Sequence, residues 1–142
     1  MLYDVNTQRI EQRLEFLPTI IHVLEYLRDH WGKDKMLEGF AQERALHLAV
    51  EAVTDVGSDM IDGFLMRDAS SYEDIVEILR EEQVISPEVA APLLELAQLR
   101  KSIVQDYLTF SRTELHPLTT ALPAALRSFI GQVREFIRKE LF

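Results

Sequence analysis

Two groups of polar residues in this 142-residue chain have the types and spacing that chemistry requires. The first is Arg44, His47, Glu51, Asp55, Ser58 and Asp62. They recur at steps of three and four, so on a helix they share one narrow face. Most positions between them, from Ala45 to Ile61, are apolar or small. Three readings fit. The stripe is a solvated helix face with i,i+4 pairs. Or it is the polar wall of an active cleft. Or His47, Glu51 and Asp55, at four-residue steps, ligate a cation. The Glu-x-x-His pattern of di-iron bundles is absent, because Glu43 and His47 stand four apart.

The second group is Arg100-Lys101-Ser102-Ile103-Val104-Gln105-Asp106-Tyr107. On a regular helix Arg100, Val104 and Tyr107 share a face, and Gln105 lies about 140° round from Arg100. A site that uses both Arg100 and Gln105 therefore requires Arg100 at an irregular helix start. Arginine presents a fixed fork of donors that suits phosphate. The same residues also fit a surface arginine beside a half-buried tyrosine.

Other chemistry is excluded by composition. Zero cysteines rule out disulfides, zinc–thiolate sites, iron–sulfur clusters and cysteine nucleophiles. Five scattered glycines form no phosphate-cradling loop, and there is no GxSxG, HExxH or GxxxxGK[ST]. His22, His30 and His116 are isolated and read as ordinary helix-face or loop-end residues. Neither a metal nor a cofactor is expected.

The elements that must position these groups are helical. With 47% apolar residues the chain is not disordered, and its length fits one domain, 1–142, with a core that needs no staples. No period-2 strand pattern is convincing. Helix one is expected from about Asn6 to His30, continuing through Pro18, with Gly32 as its stop. Helix two, about Asp34 to Met66, carries the polar stripe. Gly57 and Gly63 inside it suggest that another backbone approaches closely. A short third helix starts at Ser71-Tyr72-Glu73-Asp74, a capping-box-like sequence. Helix four starts at Ser86-Pro87 and should reach Phe110, with a break or bend at Pro92. Helix five spans about Leu118 to Leu141. Short links make neighbouring helices antiparallel, which predicts an all-α, up-and-down bundle of four long helices plus one short one.

Charge localises any anion site. The 15 Lys+Arg and 24 Asp+Glu leave a net −9, which argues against loose nucleic-acid binding. Residues 1–99 hold 8 basic and 20 acidic residues, whereas residues 100–142 hold 7 and 4, so the basic excess begins at Arg100. The N-terminus has no signal-peptide pattern and no apolar run spans a bilayer, so the expected location is the cytoplasm, away from membranes.

The segment Glu43-Arg44-Ala45-Leu46-His47-Leu48-Ala49-Val50-Glu51-Ala52-Val53-Thr54-Asp55-Val56-Gly57 resembles helix two of the HepT-like branch of the HEPN superfamily. Arg100-x4-Gln105-x-Tyr107 resembles that branch's Arg-x4-His-x-Tyr signature, and Tyr72-Glu73-Asp74-Ile75 with Val84-Ile85-Ser86-Pro87 resembles its connecting helix. The likeness covers nearly the whole chain and is nearest to the YutE-like proteins of Gram-positive bacteria. It implies a HEPN-like bundle that forms a homodimer around a shared cleft. It also implies a metal-independent endoribonuclease of the toxin type, whose antitoxin partner is a minimal nucleotidyltransferase. By position, Arg100 would contact phosphate, Tyr107 would be the signature tyrosine and the modification site, and His47, Glu51, Asp55 and Lys101 would line the cleft. Gln105 stands where the family has histidine. Glutamine cannot transfer a proton at neutral pH, so catalysis is expected to be weakened unless His47, on the polar stripe, substitutes. The alternative is a non-catalytic nucleotide- or RNA-binding regulatory module.

Overall fold

The structure is a computed structural model that describes residues 3–142. Five helices account for its regular structure, and no strand occurs among the described residues. They are α1 (Thr7–His30), α2 (Lys35–Gly63), α3 (Tyr72–Glu81), α4 (Pro87–Val104) and α5 (Pro117–Leu141).

Each start has a local cause. The Asn6 side chain accepts from the Arg9 N–H at 3.1 Å, and the Ser71 hydroxyl accepts from the Asp74 N–H at 3.0 Å. Asp34 caps α2 and Ser86 caps α4, where Pro87 occupies the first helical position. These side chains satisfy amides that have no partner within the helix. His116 caps α5, its Nδ1 accepting from the Leu118 N–H at 3.0 Å. Gly32, just past α1, has φ +114°, where its lack of a Cβ matters.

Packing follows the apolar stripes. Helix α1 lies against α2 and α5, while α4 lies against α3, α5 and α2. Leu14, Leu24, Leu46, Leu96, Leu122 and Phe129 are wholly buried in one core that draws on all five helices. Truncating any of the leucines to alanine would cost about 2–5 kcal/mol. The expected close approach of another backbone occurs at Gly63, whereas at Gly57 the neighbour is a side chain. A Cβ on Gly57 would strike Ile75 Cγ2 of α3, and one on Gly63 would lie 2.9 Å from Val5 Cα.

Three sequence expectations need correction. Helix α4 runs unbroken through Pro92, which removes only the bond that an N–H there would make to the exposed first turn. The helix stops at Val104 rather than Phe110. Beyond it the Thr109 and Phe110 amides both bond to the Asp106 carbonyl at 3.0 Å, a turn that competes with helix continuation. Helix α2 ends at Gly63 rather than Met66, and Leu65 takes a positive φ of 58°.

Candidate functional site

The polar stripe on α2 divides between two neighbours. Its N-terminal half meets α4. Arg100 Nε donates to Glu51 Oε1 at 2.8 Å, with both side chains part-buried. The same oxygen is 3.4 Å from His47 Nε2, and His47 Nδ1 is 3.5 Å from Arg44 Nη1. The C-terminal half meets α1. Arg13 Nε lies 3.8 Å from Asp55 Oδ2, and Arg9 Nε lies 3.0 Å from Asp59 Oδ2. That Asp59 oxygen is buried without a well-aligned hydrogen bond, so Arg9 offers charge more than direction. Burial pushes the Asp59 carboxyl above its usual range, and the nearby Arg9 and Arg13 only partly oppose this. Ser58 and Asp62 remain exposed.

Neither a purely solvated face nor one continuous wall describes this stripe. His47, Glu51 and Asp55 do not converge either, because Glu51 turns to Arg100 and Asp55 to Arg13. Among the described residues no three His, Asp or Glu side chains gather as a cation site.

Arg100 is pinned on two sides. Its Nε edge is held by Glu51, and its Cζ sits 3.9 Å above the Tyr72 ring. Cation–π contact of this kind fixes the guanidinium plane. The four N–H groups on Nη1 and Nη2 make no hydrogen bond to the described residues. They form the fork end that pairs bidentately with a phosphate or carboxylate. Lys101, beside it in the last turn of α4, is exposed.

Gln105 and Tyr107 are placed differently. Arg100 lies near the end of a regular helix, not at an irregular start. Gln105 is the C-cap with φ −98° and ψ −36°, so helical rotation persists. Gln105 therefore projects about 140° away from Arg100. Tyr107 lies past the helix end and is exposed, so the expected Arg100–Val104–Tyr107 face does not form.

The turn carrying Tyr107 is held by a residue that periodicity did not single out. Arg112 Nη2 donates to the Tyr107 carbonyl at 2.8 Å, its Nη1 to the Phe110 carbonyl at 3.4 Å, and its Nε pairs with Glu43 of α2. The Arg112 guanidinium also lies 4.8 Å over the Phe40 ring. Gln42, fully buried, extends the same clamp. Its amide donates to the Glu114 carbonyl at 3.1 Å and accepts from the His116 amide at 2.8 Å and the Thr119 hydroxyl at 2.7 Å. A buried amide this well satisfied fixes its neighbours. Burial also lowers the His116 imidazole below its ordinary range, which suits a cap that must accept through Nδ1. Tyr72 was likewise invisible to periodicity, since it follows a cap serine and reaches Arg100 only through the packing of α3 on α4.

A family model described as "Ribonuclease HepT-like" matches residues 10–133. The chain belongs to the HepT-like ribonuclease family. The HepT-like chain is 36% identical over 140 residues to "Putative RNase YutE" of Bacillus subtilis (strain 168), covering 99% of itself and 95% of that protein. The solved structure of YutE, described as a cytosolic protein of unknown function, superposes with a TM-score of 0.86 at 34% identity. That match covers 99% of the HepT-like chain and 96% of YutE's. The all-helical HepT-like fold is thereby established. No helix among the described residues is long and apolar enough to cross a membrane.

Proposed function

We propose that residues 1–142 form one HepT-like unit that cleaves RNA as the toxin-type component of a toxin–antitoxin pair in the cytoplasm. A minimal nucleotidyltransferase is its antitoxin partner, and Tyr107, exposed on a clamped turn, is the residue the partner modifies. Two copies of this up-and-down bundle of four long helices and one short one assemble around the site. The observation that carries the ribonuclease reading is Arg100. It is pinned by Glu51 and Tyr72 with its fork end free, as a phosphate-contacting arginine in this family requires. His47, Glu51 and exposed Lys101 line its surroundings while Asp55 is held towards α1 by Arg13, and no metal or cofactor is needed.

Two further features support this reading. An apolar groove between α1 and α2, lined by Phe16, Val23, Tyr26, Leu37 and Ala41, offers a surface for a second copy. Arg44 borders its end and reaches His47, so a copy seated there would adjoin the site. The outward projection of Gln105 also fits an assembly in which Arg100 and Gln105 act on one phosphate from different copies.

Gln105 specifically favours a second reading, a non-catalytic RNA- or nucleotide-binding module. Losing a positioned acid or base lowers rates by about 10²–10⁴-fold. Induced expression with growth as the readout separates the two. The toxin-type nuclease slows growth, Arg100→Ala relieves it, and co-expression of an adjacent nucleotidyltransferase silences it. Growth arrest that persists in Arg100→Ala would refute the assignment of the phosphate contact.

A further inference from the structure

Cleavage of RNA requires a group that takes the proton of the ribose 2′-hydroxyl. Gln105 cannot do so, and α4 turns it away from Arg100. A different imidazole stands beside that arginine. His47 Nε2 is 3.4 Å from Glu51 Oε1, the oxygen that receives Arg100 Nε at 2.8 Å. Across the ring, Nδ1 lies 3.5 Å from Arg44 Nη1. Arginine has only N–H groups to offer, so Nδ1 is the accepting nitrogen and Nε2 carries the proton, within ion-pair distance of Glu51 though not aligned in a hydrogen bond to it. A carboxylate that holds one ring N–H fixes the tautomer and leaves the other nitrogen free to accept a proton. Arg44 is exposed and has no carboxylate partner among the described residues, so its long contact with Nδ1 is one that substrate can displace.

Resting on the ribonuclease reading above, we propose that His47 is the general base of this chain, with Glu51 as its positioning residue. The 2′-O–H bond breaks, its proton passes to His47 Nδ1, and the oxygen forms a bond to phosphorus. The P–O5′ bond breaks. The 5′-oxygen leaves with that electron pair and takes a proton from solvent, leaving a 2′,3′-cyclic phosphate and a 5′-hydroxyl. The imidazolium returns its proton to solvent, so nothing else is consumed. Arg100 holds the phosphate through its free Nη edge, close to His47 because one carboxylate oxygen touches both residues.

Single-turnover cleavage of a mixed-sequence oligoribonucleotide across pH tests this, together with ring NMR of the intact protein. The NMR probe is an uncleavable 2′-deoxy version of the same oligonucleotide. His47→Gln should lower the rate about 10²–10⁴-fold and remove the acid limb of the pH–rate profile. Glu51→Gln should lower it less and displace that limb, which a purely structural role would not do. The His47 ring signals should move when the deoxy oligonucleotide binds, while those of His30 and His116 stay. If His47→Gln cleaves within a few-fold of the parent while Arg100→Ala does not cleave, the base lies elsewhere and the ribonuclease reading survives. Ring signals of His47 that stay fixed on binding overturn its role whether or not RNA is cut. If the parent does not cleave, or Arg100→Ala cleaves like the parent, the ribonuclease reading fails and the His47 base fails with it.

Discussion

Two helical glycines in this protein should respond oppositely to alanine. Gly131 lies inside α5 with nothing within 4 Å of the position a Cβ would take. Alanine is favoured over glycine in a helix interior by about 0.8–1.0 kcal/mol. At roughly 2.1 cal/mol/K per residue, unfolding this 142-residue chain has an entropy of about 0.3 kcal/mol/K. Gly131→Ala should therefore raise Tm by about 3 °C. Gly39 gains at most the same propensity in the second turn of α2, but its Cβ would collide with the Arg112 carbonyl oxygen and lie 2.8 Å from both the Arg112 carbonyl carbon and Cβ. Backbone cannot swing aside as a long side chain does. Overpacking costs about 1–3 kcal/mol, and a clash with backbone puts this one at the upper end, about 2–3 kcal/mol, so Gly39→Ala should lose about 1–2 kcal/mol net and about 3–7 °C. The loss has a location. Arg112 must lift, weakening its pairing with Glu43 and its hold on the Tyr107 and Phe110 carbonyls. Thermal scans give the magnitudes, and amide exchange over residues 105–112 should quicken in Gly39→Ala and not in Gly131→Ala. If Gly39→Ala stabilises the protein as much as Gly131→Ala, the close seating of this turn on α2 is refuted.

Light scattering at micromolar concentration should report twice the 16.4 kDa chain mass, and a clean monomer would remove the two-copy site. Where two copies share one phosphate, Gln105→His should supply an acid for the leaving 5′-oxygen beside the His47 base and raise RNA cleavage about 10²–10⁴-fold, and adding Arg100→Ala should abolish the gain; a folded, dimeric variant with parental activity would refute this role for the position. The folded-state pKa of His116 lies below its unfolded value near 6.5, so the unfolded chain takes up the proton first as pH falls. Its stabilisation is present above about pH 6.5 and is lost as pH drops through the folded value; denaturant titrations should show that loss in the parent and not in His116→Asn, which caps without titrating.

The helices were legible because each carries its own signal. Asn6, Asp34, Ser71 and Ser86 cap where such side chains should, and the three- and four-residue steps of Ile10, Leu14, Leu17, Ile21 and Leu24 are buried as a set. The end of α4 was not legible, because Leu108 and Phe110 continue an apolar rhythm past Val104. The turn on the Asp106 carbonyl ends the helix, and its anchoring is tertiary, because Arg112 holds the Tyr107 and Phe110 carbonyls while it pairs with Glu43, 69 positions away. Arg100 and Glu51 were each legible as chemistry-bearing residues. Their bond was not, since it joins positions 49 apart, and Tyr72 reaches the guanidinium from a third helix.

Ion pairing also explains how a chain of net charge −9 can keep a local cationic surface. Most of its arginines are already committed to carboxylates: Arg67 to Asp74 and Glu81, Arg80 to Glu77, Arg127 to Glu25, Arg134 to Glu11. The Arg67 pairing is tight enough to hold the Asp74 carboxyl well below the usual carboxylate range. Surface pairs of this kind contribute little stability each. They do neutralise local field, so that an approaching polyanion finds few unpaired cations on those faces. Arg44 makes no such pair among the described residues, and Arg100 gives Glu51 only its Nε edge. Arg44 of α2 and Arg100 of α4 thus flank His47 and Glu51. The sequence showed basic excess only as a drift of composition beginning at Arg100. Folding turns that drift into a place, because pairing quenches the other arginines and leaves the charge beside the imidazole.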